Sequence, residues 1–416
     1  MSPVGVLYIS LIAIQFLIHF VLTHLNSKHV GTLPTSPISE SRIDPEKRAS
    51  ASEYTMAKMR YARLAQLVAS ATLVIYLLTG LPGRVFAVIG SDGSILFGYL
   101  LVVVFGGIGF LTDTSLSAYY RFGIEKRFGF NRASPGLFLV DRLKSALLTG
   151  GIAFPIVLGV LHLMRIAGSW WWLIVWACSI AFVSAVTLLH PLVIAPIFNR
   201  FSPLGDGDLR ERLTKLSSRL EFPFARIFVM DGSKRSGHAN AYFTGIGAGR
   251  RIVLFDTLVS RLEPDEIEAV LAHEIGHKKL GHIRTRMIAL ILVSFVLFYL
   301  VHLMRGFDPI FTMFGFTGAT DSGLIVLLLF CSSPMLFFLS PIASHWSRRH
   351  EFAADRYAVR SINNAKSLQS ALVLLSTESL SNPNPHPLFV RFYYSHPPLA
   401  ERLEAINGVQ VEKMDI

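Results

Sequence analysis

The stretch His273-Glu274-Ile275-Gly276-His277 sets two imidazoles four residues apart with a carboxylate beside the first. On an α-helix, positions i and i+4 project from one face. His273 and His277 can therefore grip one zinc ion, while Glu274 takes a proton from the metal-bound water. That is the chemistry of a zinc-dependent hydrolase. Random placement would give the pattern in roughly two per cent of chains of this composition, so coincidence is the competing explanation. The preceding residues argue against coincidence. Pro264-Asp265-Glu266 reads as a helix start, with proline at the first position and acidic side chains at the positive end of the helix dipole.

A catalytic zinc uses three protein ligands and keeps a fourth position open, so one more ligand is needed. Glu351, in His350-Glu351-Phe352-Ala353-Ala354-Asp355, is the best candidate. His345 and His350 are rivals, and a solvated charge on a juxtamembrane helix is the alternative. Asp355 lies one turn beyond Glu351 on the same helical face, where its carboxylate can hold a zinc-bound imidazole. Other histidines fit less well. His19, His24, His162, His190 and His302 lie in or at the ends of apolar runs, and His282 follows His277 by five residues, the wrong interval for one helical face. Cys178 and Cys331, the two cysteines of the chain, sit inside apolar runs. A disulfide framework is excluded, and neither has the neighbours of a reactive thiol.

These ligands sit in a chain built for lipid. Of its 416 residues, 52% are hydrophobic and 16% charged, against about 25% charged in soluble domains. Apolar runs of membrane-spanning length fall near 4–24, 62–82, 94–112, 143–164, 170–194, 287–304 and 323–345. The first lacks a basic leader and a small-residue cleavage site, so it reads as a retained span. The connections then alternate in basic content. The first carries Lys28, Arg42, Lys47, Arg48, Lys58 and Arg60, and the third Arg121, Lys126, Arg127 and Arg132. The second, fourth and sixth carry only Arg84, Arg165 and Arg305. The positive-inside rule places the basic connections and the C-terminus in the cytoplasm and the N-terminus outside. The net charge of +11 is thus mainly an orientation signal, and no nucleic-acid partner is expected.

Four regions follow: a five-span N-terminal membrane part (1–198), a cytoplasmic protease region with the zinc-binding helix (199–286), the sixth and seventh spans (287–346), and a C-terminal cytoplasmic region carrying the third ligand (347–416). The Ser/Pro-rich stretch 31–52 reads as an irregular loop. Ile227-Phe228-Val229-Met230, Ala241-Tyr242-Phe243 and Ile252-Val253-Leu254-Phe255 read as strands, with Gly245, Gly247 and Gly249 marking the turn between the last two. An exposed edge there can hold an extended peptide across the metal by backbone pairing. The helix bearing His273 is expected to run unbroken from Pro264 to about Met304, and the helix bearing Glu351 to continue the seventh span. Both would place the metal at or just inside the cytoplasmic membrane surface, suited to a substrate that is itself attached to the membrane.

His273-Glu274-Ile275-Gly276-His277 followed by Glu351-Phe352-Ala353-Ala354-Asp355 is similar to the type I CaaX prenyl endopeptidases, the a-factor-converting enzyme family of membrane zinc proteases. The resemblance extends well beyond the zinc motif. It includes Arg127-Phe128-Gly129-Phe130-Asn131, the segments Ser233–Phe243 and Arg251–Leu258, and Ser395-His396-Pro397-Pro398-Leu399-Ala400-Glu401-Arg402-Leu403, so it runs from about 119 to 407. It implies an α-helical polytopic membrane protein of about seven spans with a gluzincin-type cytoplasmic region containing a small β-sheet. It also implies one zinc per chain and cleavage of prenylated or otherwise membrane-associated peptides. By the same resemblance Asn240, His396 and Arg402 lie at the active site, the last two suited to stabilising an oxyanion. The family's helices surround a large intramembrane chamber, around which Pro334 and Pro341 would bend the seventh span. On their own residues, His396 also reads as a turn before two prolines, Asn240 as a turn former and His238 as a surface residue. His238 stays outside the catalytic set.

Two other functions compete. A membrane-protein quality-control zinc protease would not need prenylation, but such enzymes have fewer spans and lack the Phe-Gly-Phe-Asn segment. An inactive scaffold would not need the intact zinc motif. The short connection 305–322 and a C-terminus without an evident retrieval signal favour a bacterial inner-membrane enzyme over one of the endoplasmic reticulum.

Overall fold

The computed structural model describes residues 2–30, 44–89, 94–223, 226–244 and 251–414. Its long helices are α1 (Pro3–His29), α2 (Pro45–Thr79), α4 (Ile95–Ala118), α5 (Pro135–Ile166) and α6 (Trp171–Leu189), with the short α3 (Leu81–Ile89) after α2. Their starts follow capping chemistry. Ser2, Asp44, Ser94 and Ser134 each accept a backbone N–H of the following turn, and proline opens α1, α2 and α5. A π-helical turn, Tyr119–Glu125, extends α4, and a second, His190–Ile194, extends α6.

Among the described residues, six helices are long and apolar enough to cross a membrane. A seventh candidate span is a pair bent by 60°. The span faces carry exposed large apolar side chains, Leu111, Leu147, Leu292 and Val296 among them, as surfaces that meet lipid require. On the inner side Leu101, Phe105, Phe311, Phe314 and Leu327 form a buried cluster.

The region from residue 199 to 286 follows. A sheet of β1 (Phe201–Pro203), β2 (Arg226–Met230), β3 (Ala241–Thr244) and β4 (Arg251–Phe255) has the order β1-β2-β4-β3. β2 and β4 are parallel, with Val229 opposite Leu254, and the other pairs are antiparallel. The three expected strands are present; β1 was not anticipated, being short and ending in a proline. The expected glycine turn at 245–250 lies outside the described residues, as does 31–43 of the expected irregular loop. The rest of that loop is a correction. Residues 45–52 are helical, because Pro45 at the first position and the Asp44 cap start α2 there.

After α7 (Asp208–Arg219) come α8 (Pro264–Lys279), α9 (His282–Met304), α10 (Asp321–Phe337), α11 (Ser340–Ile362), α12 (Ala365–Glu378), α13 (Pro387–Tyr393) and α14 (Leu399–Met414). Ile267, Leu271 and Ile275 of α8 pack with Leu254, Ala358 and Leu368 to form the core of this region. One further expectation fails here. The helix bearing His273 does not run on to Met304. It ends at Lys279, and Gly281 adopts φ +71° before α9 begins, a left-handed conformation that glycine reaches without a Cβ penalty. The Glu351 helix does continue the seventh span, with the bend that Pro341 led one to expect. It forms the second limb of the 60° bend, opening with Pro341 in its first turn, where proline cannot carry on the preceding hydrogen-bond ladder.

Candidate metal centre

The capping box that starts α8 uses Glu263 and Glu266, with the Glu266 carboxylate accepting the Glu263 N–H at 3.0 Å. Two turns later His273 is 8% exposed. α8 packs along α11, and Gly276 makes their approach possible. A Cβ at 276 would lie 3.0 Å from the Tyr357 ring and 3.3 Å from the Ala354 carbonyl oxygen. The close approach brings Glu351, 3% exposed, beneath both imidazoles. His273 Nε2 and His277 Nε2 are 3.1 Å apart. Glu351 lies 3.4 Å from the first through Oε2 and 3.3 Å from the second through Oε1.

Three lone-pair atoms thus face one point, and Glu351 Oε2 is buried without a hydrogen bond. Neutral imidazole nitrogens and a carboxylate repel one another in this arrangement unless a cation lies between them. Ligands about 2.0–2.1 Å from a tetrahedral zinc lie about 3.3 Å from one another, which matches the observed edges. The residues fit a zinc ion. His273, His277 and Glu351 are the only such grouping among the described residues, and the rivals His345 and His350 are not part of it.

The groups behind these three are also placed. Asp355, 1% exposed, has Oδ1 2.8 Å from His273 Nδ1, in contact although not aligned as a linear hydrogen bond. Arg402 donates to both Asp355 oxygens, from Nε at 2.8 Å and from a terminal nitrogen at 2.6 Å. Arg402 is therefore committed mainly to Asp355, with Glu351 Oε2 4.0 Å away. His396, on the segment before α14, points its Nε2 at Glu351 Oε1 from 3.5 Å and is largely exposed. Glu274 is half-buried and has no hydrogen-bond or ion-pair partner among the described residues. Burial pushes its carboxyl above the ordinary range, with the neighbouring imidazoles pulling the other way. Asn240 is exposed at the start of β3, its side-chain oxygen accepting the Ala241 N–H at 2.8 Å. It does not touch the three clustered residues in the described contacts.

Sequence reasoning passed over His282, and the structure returns it to the site. With the helix broken at Gly281, His282 Nδ1 meets His277 Nδ1 at 2.9 Å. The His282 ring then stacks on His350 with centroids 4.0 Å apart. A glycine four residues after His277 was the available signal, since it breaks the helical interval that excluded His282. His238 is not simply a surface residue. It stacks on Phe130 at 4.3 Å and reaches Glu125 Oε2 at 3.3 Å, and Tyr54 donates to the other Glu125 oxygen. The Phe-Gly-Phe-Asn segment thereby docks on the segment leading to β3, helped by the Asn131–Ser236 bridge.

The close packing at Gly276 yields an expected result. Gly276→Val forces α8 and α11 apart and should weaken zinc binding by about 10–100-fold, the range typical of disturbed ligand support. Metal retention during dialysis against a graded chelator measures it, and full retention would show that Gly276 does not set the ligand spacing.

The chain resembles known proteins along most of its length. A model of peptidase family M48 matches residues 203–410, and one described as CAAX prenyl protease N-terminal, five membrane helices, matches residues 24–200. The chain is 41% identical to a CAAX prenyl protease 1 homolog of Arabidopsis thaliana over 72% of this chain and 70% of that protein. It is 33% identical to CAAX prenyl protease 1 of Saccharomyces cerevisiae over 96% and 94% respectively. The crystal structure of S. mikatae Ste24p superposes with a TM-score of 0.91 at 30% identity, covering 98% of this chain and all of that one.

Proposed function

The chain belongs to the M48 peptidases of the CAAX prenyl protease type, and on that premise we propose that it is a membrane zinc endopeptidase cutting prenylated or similarly membrane-attached peptides near their C-termini. The observation that carries the chemistry is the convergence of His273 Nε2, His277 Nε2 and the Glu351 carboxylate at 3.1–3.4 Å. One zinc per chain would be held by these three residues and would supply Lewis acidity, making water acidic and polarising a carbonyl. Asp355 fixes the orientation of the His273 ring and is itself held by Arg402. His282 accepts the Nδ1 proton of His277, leaving Nε2 of His277 as the lone-pair donor. Glu274, unencumbered and adjacent to His273, takes the proton from the attacking water and passes it to the departing amine. His396, exposed beside Glu351, donates to the oxyanion that develops on the scissile carbonyl. Arg402 acts there chiefly through Asp355. β3 is an edge strand of the sheet, and an extended peptide can pair with it, with Asn240 at its near end.

A site formed where α8 leads into α9, and α11 leads out of the bent span, lies close to the membrane surface. This favours substrates carrying their own lipid anchor. The purified protein should cleave a prenylated C-a-a-X peptide and leave its unprenylated counterpart largely intact. Equal cleavage of both would replace this reading with that of a protease indifferent to prenylation.

We further propose that the active site faces the cytoplasm of a bacterial inner membrane, or that side of the endoplasmic reticulum if the cell is eukaryotic. A reporter fused after Ile416 should then be cytoplasmic and one fused before Met1 external. Both reporters on one side would remove the seven-span count.

A further inference from the structure

A cavity of about 600 Å³ opens beside the metal centre, with His396, Arg402, Lys58, Arg261 and Leu375 in its lining. Cavities of about 300–1,000 Å³ hold ligands of small-peptide size. Three basic side chains line it, Lys58, Arg261 and Arg402, and they are not equivalent. Arg402 is spent on Asp355, through two hydrogen bonds of 2.8 and 2.6 Å. Arg261 faces Glu378 at 3.7 Å, a carboxylate that also accepts from Lys47 at 3.2 Å. Lys58 has no carboxylate of the described residues within ion-pair distance; Glu125, hydrogen-bonded to the Tyr54 hydroxyl, is the carboxylate that acts on it from farther off. Its ammonium is half-buried over the Tyr54 ring, 4.2 Å from the centroid. A ring face attracts a cation but does not neutralise it, and an incompletely paired ammonium in a recess is a ready partner for an anion.

The chemistry of the leaving side says which anion. A C-a-a-X end cut just beyond its prenylated cysteine has three residues and a free carboxylate on that side. Three extended residues reach at most about 10 Å, which keeps the carboxylate near the metal centre, and the cavity that His396 and Arg402 share with Lys58 is the recess that adjoins it. We propose that Lys58 anchors the free C-terminal carboxylate of the bound peptide, making it a specificity-determining residue that measures the distance from the chain end to the cut. The inference rests on the substrate class proposed above.

The test is a binding measurement on the zinc-loaded, full-length Glu274→Gln protein, so that turnover does not intervene. Prenylated tetrapeptides labelled at the N-terminus are compared as C-terminal acid and C-terminal amide. With Lys58 intact the acid should bind about 10–100-fold more tightly, as expected of a charge-assisted contact in a recess. Lys58→Met should weaken the acid alone and remove most of the difference, and Lys58→Arg should retain it. Arg261→Met, removing a cation already paired, should leave the preference in place. Acid and amide binding alike with Lys58 intact would overturn the proposal, whether or not any variant folds. So would a preference that survives Lys58→Met or disappears with Arg261→Met. Acid-selective binding without cleavage of a prenylated peptide would remove the proposed activity and leave this subsite standing. Cleavage without acid selectivity would do the reverse.

Discussion

Replacing Glu274 with glutamine is expected to leave one zinc per chain bound while turnover falls by about 10²–10⁴-fold, the contribution of a positioned general base. The substitution keeps the size of the side chain and removes its ability to take a proton. Glu274 has no hydrogen-bond or ion-pair partner among the described residues, so glutamine disrupts no network and the loss reads on the chemical step. A peptide-cleavage assay beside metal analysis of the same sample separates the two effects. Near-wild-type turnover with zinc bound would mean that another group activates the water. His396→Ala should cost on the order of 10²-fold, as the loss of one oxyanion donor does. Its single close contact with the cluster is 3.5 Å to Glu351, so metal content should hold. Unchanged turnover there would make the Ser-His-Pro-Pro segment structural.

Glu351→Ala should have the other large effect, and through a different route. Zinc held by four protein ligands is worth about 10–16 kcal/mol, or roughly 3–4 kcal/mol per ligand. Losing one of three ligands should therefore weaken the site by on the order of 10²–10³-fold. The variant should lose zinc on dialysis under conditions in which the wild-type protein keeps it, and cleavage should disappear with the metal. Glu351 is 3% exposed, and the alanine leaves a small void beside two imidazoles with no carboxylate to hold them. A variant that kept both zinc and activity would remove Glu351 as a ligand and return His350 to consideration.

The legible parts of the sequence were those governed by local rules. Spans follow from apolar length, β2, β3 and β4 from β-branched and aromatic runs, and the His273–His277 pair from the helical interval. Glu351 and Asp355 were readable because each sits one turn from the other on one helix, so sequence spacing fixes their common face. What was not legible depends on backbone breaks and on contacts between distant segments. Gly281 ends α8, and that break makes the His277–His282 contact of 2.9 Å possible; counting along an unbroken helix hid it. The commitment of Arg402 to Asp355 joins residues 47 apart, and no local pattern distinguishes that pairing from a free guanidinium near an oxyanion. Lys58 shows the same limit. In the sequence it is one of several basic residues marking orientation, and only folding sets it apart from the paired Arg261 and Arg402. The 60° bend in the seventh span was foreshadowed by Pro341. The resulting direction of Glu351 comes from packing against α8.

The three-ligand centre can be tested most directly by anomalous scattering at the zinc absorption edge, from crystals of the purified protein. One peak is expected per chain, bounded by His273 Nε2, His277 Nε2 and the Glu351 carboxylate, and it should vanish in crystals of Glu351→Ala dialysed against chelator. No peak at that position in a proteolytically active wild-type protein, or a peak held by His282 and His350 instead, would contradict the account.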